Sequence, residues 1–431
     1  MPDLFTLLEG IKKRLRPLPS QEKKINAFVA SLTKRLLPLS VDVFLGGSYA
    51  KGTAIRNSFD VDIFVRFKPH EKDIAKQLGN ALASYRPLAV QGSRTYYQIH
   101  HGGFVYEIVP VYAIEHPSQA QNTMDMSVFH VQWVRNALAK NPSLADEIRL
   151  TKQFCKAQRC YGAESYILGF SGHVVDILTI HAGGFLPLLK NAVQWKPKQV
   201  IDPSHAYASP THALKALNQA KIQSPLIVID PLLPSRNAAA ALSKEQYDVF
   251  VHAAKKFLNK PSKSFFIIKP FNLSQAIKKK GMLVLGLTLY AARKDIVGTR
   301  VVKCLTWIKS LLEKNGFPIF HASWDWNQKT KAWIIIKTKE RIAQQYLLQG
   351  PPISQELNSK AFCAKHQQCY QHKGRWIAKE IRQFPTLSAF AKNVILQDSY
   401  VRSLVQSLRL LAPLSPRILS SSTKKSKKSK R

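Results

Sequence analysis

A short apolar segment that runs directly into a glycine pair, with two closely spaced aspartates after it, most restricts how this chain can fold. Residues 41–45 predict a strand, and Gly46-Gly47-Ser48 follows it at once. Eleven residues later, residues 60–67 alternate with period two. This places Asp60 and Asp62 on one strand face, about 6–7 Å apart at their Cα atoms. The pattern predicts an α/β domain with an acidic site beside a glycine turn.

This combination of residue types suits phosphate chemistry. Two carboxylates on one face can converge on divalent cations, and two such cations stabilise the attacking and leaving oxygens of a phosphoryl transfer. The glycine turn offers backbone N–H groups and the Ser48 hydroxyl to a triphosphate, and Lys51 can add a point charge. The alternative interpretation is a solvated acid pair neutralised by Arg56 and Arg66.

A site of this kind needs a third carboxylate from a neighbouring strand. Residues 104–111 predict such a strand, and Glu107 is the one acid in it, on the face that carries Val109 and Val111. Contact with water alone does not readily explain why an acid stands in an otherwise apolar strand. The alternative for Glu107 is an acid on an edge strand, in contact with water.

The charge balance of the chain is strongly basic. Its 431 residues include 64 Lys and Arg against 26 Asp and Glu, a net charge of +38. Such a protein repels itself, which favours a polyanionic partner, nucleic acid first and an anionic membrane surface second. A lysine bias of the source proteome is the remaining explanation. Six basic residues fall in positions 424–431, within a predicted disordered tail over residues 420–431, and removing them leaves +32.

Composition excludes several classes of protein. Hydrophobic residues make up 45% and charged residues 21%, which excludes wholesale disorder and collagen-like, mucin-like or coiled-coil chains. The longest apolar stretch, residues 281–292, is too short to span a bilayer, and no secretory signal is recognisable at the N-terminus. Five cysteines favour a reducing, cytoplasmic compartment over a disulfide scaffold. The length suggests about three domains.

Apolar periodicity predicts an α/β region to about residue 120 and mostly helices after it. Helices are predicted over residues 20–36, 71–85, 144–160, 170–185 and 243–258, and antiparallel strands over 96–100 and 104–111. A second α/β unit with a mixed sheet is predicted from segments 265–268, 282–290, 301–314 and 333–337, with a helical, basic region beyond residue 340.

Further local motifs follow the acid pair in a fixed order. They are Gly47-Ser48-Tyr49-Ala50, Arg149-Leu150-Thr151-Lys152, Tyr161-Gly162-Ala163-Glu164, Gly169-Phe170-Ser171-Gly172, Asp230-Pro231 with Arg236-Asn237, and Gly374-Arg375-Trp376. With the glycine turn and the acids, this order resembles the archaeal-type (class I) CCA-adding enzymes, tRNA nucleotidyltransferases of the polymerase-β-like superfamily. The resemblance covers roughly residues 20–400, and the motifs from Lys152 to Asn237 are its specific part.

The resemblance implies an α+β, multidomain fold and an activity. Its domains would be a nucleotidyltransferase palm or head (1–120), a helical neck for nucleotide recognition (121–260), an α/β body (261–340) and a helical tail (341–419), the last two binding tRNA. The implied reaction adds C, C and A to the 3′ end of tRNA from CTP and ATP without a nucleic-acid template. The family also implies a homodimer.

The resemblance further implies roles for single residues. The Mg²⁺ ligands and catalytic acids would be Asp60, Asp62 and Glu107. The triphosphate would be held by Ser48, Lys51, Lys152 and Tyr161, with His130 near the nucleotide and Arg236 reading the incoming base. The chain departs from the family's usual Asp at Glu107, usual Arg at Lys51 and common aromatic at Ala54. Without the resemblance, Lys152 is equally a surface lysine, Tyr161 a helix-ending tyrosine and Arg236 a partner in a loop salt bridge.

Weaker signals lie towards the C-terminus. Cys363, His366, Cys369 and His372 recur every third residue, which is wrong for a usual zinc module and favours a basic, RNA-facing helix. The tryptophans at 324, 326 and 333 are either base-stacking residues or core residues. Two other functions suit the same signals: a poly(A) or oligoadenylate polymerase, and a catalytically inactive RNA-binding homologue.

Overall fold

The computed structural model describes residues 3–58, 60–366 and 368–411, which divide into two compact units between Lys269 and Pro270. The predicted tail over residues 420–431 lies outside the described residues. The finer assignment of segments 1–120, 121–260, 261–340 and 341–419 to four domains stays a prediction.

The first unit begins with an α/β layer. Its strands are β1 (Asp42–Leu45), β2 (Val61–Phe67), β3 (Leu88–Val90), β4 (Tyr96–His101) and β5 (Phe104–Tyr112). They pair in the order β1-β2-β5-β4-β3. The β2–β5 pair is parallel and the other pairs are antiparallel, which confirms the predicted antiparallel pairing of β4 with β5. Because β5 lies between β2 and β4, the edge-strand alternative for Glu107 is wrong.

Helices cover one face of this sheet and continue into the rest of the unit. They are α1 (Leu4–Leu15), α2 (Pro19–Leu36), α3 (Gly47–Ala50), α4 (Ile74–Ala81), α5 (Ser127–Lys140), α6 (Leu144–Ala157), α7 (Gly172–Ala182), α8 (Phe185–Val193), α9 (Pro210–Ala216) and α10 (Lys244–Asn259). The alternating apolar residues of β2, Val61 to Phe67, pack against buried side chains of α2 and α4. The period-two pattern therefore confirms which face of β2 is core and leaves Asp62 on the other.

Local signals explain where the later helices begin. Ser171 caps α7 by accepting from Val174 N at 3.2 Å, and Ser243 caps α10 by accepting from Gln246 N at 3.2 Å. A short parallel pair, β6 (Gln199–Ile201) and β7 (Leu226–Val228), joins them. Phe154 of α6 is fully buried against Phe185, Phe250, Phe257, Phe265 and Phe266.

In the described part of the chain, no single helix has the length and apolar composition of a membrane span. Helices α7 and α8 pass that test only as a pair, with a bend of 93° at their break. Side chains of both helices belong to the buried core of the first unit.

The second unit contains a sheet in the order β14 (Ser407–Leu410), β8 (Met282–Thr288), β10 (Lys331–Lys337) and β9 (His321–Trp326), every pair of it antiparallel. The predicted mixed sheet is therefore wrong. Helix α12 returns the chain so that β9 runs in the direction of β8, and β10 lies between them, antiparallel to both. The elements of the unit up to this point are α11 (Leu273–Lys278), β8 (Met282–Thr288), α12 (Lys294–Lys314), β9 (His321–Trp326) and β10 (Lys331–Lys337).

The predicted helical region beyond residue 340 is wrong for its first part. That part forms a sheet in the order β11 (Gln345–Pro352), β13 (Arg375–Ile381) and β12 (Cys369–His372). The strand β13 was not predicted because charged residues interrupt its period-two alternation. The elements are β11 (Gln345–Pro352), α13 (Glu356–Lys365), β12 (Cys369–His372), β13 (Arg375–Ile381), α14 (Leu387–Phe390), α15 (Ser399–Leu404) and β14 (Ser407–Leu410).

Two smaller expectations also change. The RNA-facing helix predicted across residues 363–372 is wrong, since α13 ends at Lys365 and β12 begins at Cys369. Segment 265–268 belongs to the first unit, where residues 263–266 form a 3₁₀ turn rather than a strand. Of the tryptophans, Trp326 is buried and Trp333 packs against Phe271 with ring centroids 5.9 Å apart, as core residues do.

Candidate active site

The glycine turn lies directly against the acid strand. Gly47 opens α3 with φ +57°, and a Cβ atom on it would overlap Asp62 Oδ2. The neighbouring Gly46 N–H donates to the main-chain oxygen of Asp62 at 2.8 Å. Only glycine allows this approach, so the turn and the acid strand form one local structure that also carries Ser48.

Asp62 and Glu107 face each other across the parallel β2–β5 pair. They are direct register partners, and Gln98 Nε2 of β4 donates to Glu107 Oε1 at 2.7 Å. Burial, and then the charges of Glu107 and Asp60, raise the pKa of Asp62 to about 7. Asp62 is thus close enough to each of the other two predicted carboxylates to be repelled by it, and Asp60 is exposed just before β2.

The arginines of the alternative interpretation have other partners. Arg66 forms an ion pair with Asp42 at 3.0 Å. Arg56 donates to the main-chain oxygens of Arg16 and Lys13 at 2.8 and 3.2 Å. The structure therefore does not support the alternative in which Arg56 and Arg66 neutralise Asp60 and Asp62.

Two of the predicted phosphate-binding lysines share one buried carboxylate. Lys51 Nζ lies 2.9 Å from Asp176 Oδ2, and Lys152 Nζ lies 2.9 Å from Asp176 Oδ1. Lys152 also donates to Thr53 Oγ1 at 2.9 Å. At 3% exposure Lys152 is not a surface lysine. Burial acts to raise the pKa of Asp176, but the two lysines outweigh it and lower this pKa to about 2.

Tyr161 follows α6 and turns back towards α7. Its backbone bridges to Phe170, and its hydroxyl lies beside Gly172, where a Cβ would approach it to 2.9 Å. Burial, with a smaller contribution from Asp176, raises the pKa of Tyr161. Tyr161 therefore stays a neutral hydrogen-bonding group near the lysine pair.

His130 and Arg236 meet at a third buried acid. Asp230 accepts from Arg236 Nη1 at 2.5 Å, and His130 Nε2 lies 3.2 Å from the same oxygen, Oδ2. His173 of α7 lies 3.4 Å from that oxygen and packs on the ring of His130. The predicted loop salt bridge of Arg236 is present, and its partner is Asp230.

Among the described residues, one set of three potential ligand groups has its donor atoms all within 4.8 Å of one another: His130, His173 and Asp230. Asp60, Asp62 and Glu107 do not converge to that degree. Asp62 and Glu107 lie on neighbouring strands, whereas the ligand atoms of His130, His173 and Asp230 already lie together.

Sequence reasoning missed Asp176 and His173 and gave Asp230 no role. The signal for Asp176 was available, because it is the only acid in α7, whose other residues are mostly apolar. The same argument had identified Glu107. His173 carried no such signal, since a lone histidine after a glycine motif has many ordinary explanations.

The fold and this site define a nucleotidyltransferase. A model described as a nucleotidyltransferase domain matches residues 23–130. The chain also resembles a solved cytoplasmic RNA terminal U-transferase, with a TM-score of 0.51 at 14% identity over 62% of this chain and 98% of that one, a likeness of fold alone. Such enzymes generally use divalent metals.

Two further models narrow the family. One, for the second domain of tRNA nucleotidyltransferase, matches residues 146–267, and one for the C-terminal domain of CCA-adding enzyme matches residues 290–409. A CCA-adding enzyme of Nanoarchaeum equitans is 34% identical over 76% of this chain and 81% of its own length. That of Pyrococcus abyssi is 31% identical over 72% and 73%. The chain belongs to the CCA-adding enzyme family, as its motifs had predicted.

Proposed function

We propose that this protein adds C, C and A to the 3′ end of tRNA, from CTP and ATP and without a nucleic-acid template. The match of residues 290–409 to the C-terminal domain of CCA-adding enzymes carries the proposal, because nucleotidyltransferases at large share only the catalytic domain. The order of the three matched domains along the chain supports it.

In this proposal Asp60, Asp62 and Glu107 hold Mg²⁺. All three offer oxygen ligands, which suit Mg²⁺. The pKa of Asp62 is raised by burial first and then by the neighbouring negative charges, and a dication would relieve that crowding of charge. When bound, Mg²⁺ would supply charge stabilisation of the reacting oxygens. The longer side chain of Glu107 is held by Gln98, which fixes its carboxylate opposite Asp62.

The cations beside the glycine turn hold the triphosphate. Lys51, Lys152 and the Ser48 hydroxyl bind phosphate oxygens, and the backbone N–H groups of the turn add neutral donors. Tyr161 contributes a neutral phenol from the end of α6. The tRNA 3′-hydroxyl attacks the α-phosphate, with Glu107 or Asp62 taking its proton, and the same cations stabilise the departing pyrophosphate.

In this proposal, residues of the predicted neck (121–260) select the incoming base. Arg236 is one-third exposed and holds Asp230, so its guanidinium can present paired donors to a base edge at small structural cost. His130, on the same acid, borders that position. C and A both present an acceptor ring nitrogen beside their exocyclic amino group, where G and U carry an N–H donor. This difference gives the arginine, which can only donate, a basis for selection.

The deciding experiment is an extension assay on tRNA that ends before CCA, with each labelled nucleotide supplied alone and together. We expect addition that depends on CTP and stops after one A. Long A tails would instead identify a poly(A) or oligoadenylate polymerase. Tight tRNA binding with no metal-dependent release of pyrophosphate would identify an inactive RNA-binding homologue.

Asp60→Ala tests the acidic site. We expect it to abolish nucleotide incorporation and leave tRNA affinity nearly unchanged, because Asp60 is exposed and contributes no phosphate contact. Asp42→Ala is the matched control, since Asp42 is also an exposed acid at this sheet and its ion pair among the described residues is with Arg66. Incorporation by Asp60→Ala at the control's rate would contradict the assignment.

We also propose that tRNA is the polyanion attracted by the net charge of +38. The region after residue 260 would hold it through shape and phosphate contacts. A homodimer and a cytoplasmic location belong to the same proposal. The family resemblance supports the first, and the five cysteines, free in the structure, are compatible with the second.

A further inference from the structure

The histidine cluster has the donor set of a metal site that differs from the carboxylate site. His130 comes from α5, His173 from the first turn of α7 and Asp230 from the segment after β7. Two imidazoles and one carboxylate suit Zn²⁺ and similar borderline transition metals, whereas Mg²⁺ prefers oxygen ligands throughout.

Two of the three distances between ligand atoms in the cluster match those of a metal site. Tetrahedral ligands about 2.0–2.1 Å from zinc lie about 3.3 Å from one another. His130 Nε2 and His173 Nε2 lie 3.2 and 3.4 Å from Asp230 Oδ2, and all three groups have ligand atoms within 4.8 Å of one another. Side-chain adjustments within the cluster would suffice to receive an ion.

His173 supplies an independent observation. Both of its ring nitrogens are buried without a well-formed hydrogen bond to any described residue, and Asp230 Oδ2 lies 3.4 Å from Nε2, a poor hydrogen-bond distance. A buried imidazole without a hydrogen bond is costly. Coordination of an ion would satisfy one of these nitrogens, because ligand atoms point at the shared metal and not at each other.

Arg236 competes for the same oxygen. Its Nη1 lies 2.5 Å from Asp230 Oδ2, and a guanidinium and a dication at one oxygen repel each other. Because the Arg236 side chain is 31% exposed, it can withdraw into solvent when the ion arrives.

We propose that His130, His173 and Asp230 form a second metal site, selective for Zn²⁺ or a similar transition dication, whose occupation excludes the Arg236–Asp230 ion pair. Since Arg236 reads the incoming base in the proposed function, Zn²⁺ at this site inhibits nucleotide addition. This consequence rests on the proposed function, whereas the metal site itself does not.

The site is tested by zinc titration of the full chain against a chromophoric zinc chelator, with millimolar Mg²⁺ present to occupy oxygen-ligand sites. We expect His173→Phe to lose one equivalent of bound zinc that His252→Gln retains. His252 is the matched control because it is an exposed histidine on α10. Equal zinc stoichiometry in the wild type and His173→Phe would overturn the proposal.

Arg236→Ala gives a prediction of opposite sign that misfolding cannot mimic. Removing the competing guanidinium should tighten zinc binding at least tenfold, and adding His173→Phe should cancel that gain. Unchanged or weaker zinc binding in Arg236→Ala would overturn the proposal. Zinc binding without inhibition of nucleotide addition would support the site and instead overturn the base-reading role of Arg236.

Discussion

At the scale of single residues, the site depends on close approaches that ordinary side chains would prevent. Gly47 brings a backbone turn onto the carboxylate of Asp62, and Asp176 brings two lysines together in a buried position. Each contact fixes a group that is proposed to bind substrate. Small substitutions at these positions should therefore reduce activity or stability more than the change in side-chain size alone suggests.

Gly47→Ala should lower kcat/KM for nucleotide addition by about 100-fold or more, because displacement of a reacting group by about 1 Å has that effect. Its new methyl group would overlap Asp62 Oδ2. Gly52→Ala is the control: it has a similar φ of +69°, with nothing within 4 Å of the added atom. Steady-state kinetics of both variants separates the overlap from backbone strain, and equal losses in the two would contradict the explanation.

Asp176→Asn should destabilise the first unit by about 3–5 kcal/mol, since it leaves Lys51 and Lys152 buried without their counter-charge. Asp248→Asn, in an exposed pair with Lys244, should cost less than about 1 kcal/mol. Denaturant unfolding measures both. A loss for Asp176→Asn no larger than the control's would show that the buried pair contributes little.

The same variant predicts a pH dependence. The pKa of Asp176 is lowered to about 2, below the value of about 3.9 expected in the unfolded chain. Its stabilisation is therefore complete above about pH 4 and disappears as the pH falls towards 2. The difference in unfolding free energy between wild type and Asp176→Asn should shrink over that interval. A constant difference would show that the two lysines do not stabilise the ionised carboxylate.

At the scale of helices and strands, packing in the first unit is concentrated on α6. Its Phe154 is fully buried among five aromatic rings contributed by the start of α8, by α10 and by the 3₁₀ turn at residues 263–266. The same helix carries Lys152. Loss of this aromatic cluster would therefore disturb a predicted phosphate-binding residue as well as the core.

Phe154→Ala should lower stability by about 3–5 kcal/mol, through lost burial and the cavity it leaves. Phe5→Ala, at a position 74% exposed on α1, should change stability by less than about 0.5 kcal/mol. Denaturant unfolding, followed by hydrogen exchange at α6 amides, distinguishes them. Similar stability in the two variants would mean that the aromatic cluster is loosely packed.

Elements with a clean period were predictable from sequence, but their partners were predictable only where a short turn joins two strands, as between β4 and β5. The alternation in β2 and the glycine turn correctly indicated which face carries Asp62. The period of a strand does not specify its neighbour, which is why the second unit's sheet was expected to be mixed. In β13, the charged residues Lys379 and Glu380 interrupt the alternation, so the sequence there resembled a polar helix and the strand was not predicted.

Within the candidate site, sequence identified the residues that stand in recognisable motifs. The acids at 60, 62 and 107 and the lysines at 51 and 152 were all predicted in this way. Asp176 and His173 contact residues far away in the chain, and only the three-dimensional structure brings these partners together.

At the scale of the whole molecule, the surplus of positive charge is distributed along the entire chain. Only six of the 64 basic residues lie in positions 424–431, so the remainder keeps +32. If phosphate contacts come mainly from that remainder, the tail is a minor contributor to tRNA binding. The surplus also predicts strong dependence of binding on salt.

Deleting residues 424–431 should weaken tRNA binding less than tenfold and reduce the slope of log K against log salt by at most about 5, the limit for six phosphate contacts. Filter binding of tRNA at about 50–200 mM salt measures both quantities. Abolished binding would place the main contact in the tail. Tighter binding to anionic vesicles than to tRNA would favour a membrane surface as the polyanion.

The carboxylate shared by Lys51 and Lys152 also has a kinetic consequence. The three groups together carry a charge of only +1. If Lys51 and Lys152 bind the triphosphate as proposed, Asp176 stays beside them after pyrophosphate departs and limits the repulsion between the two ammonium groups. In the proposed function pyrophosphate is released three times on each tRNA, and this fixed counter-charge would make each release easier because it does not leave two bare cations behind.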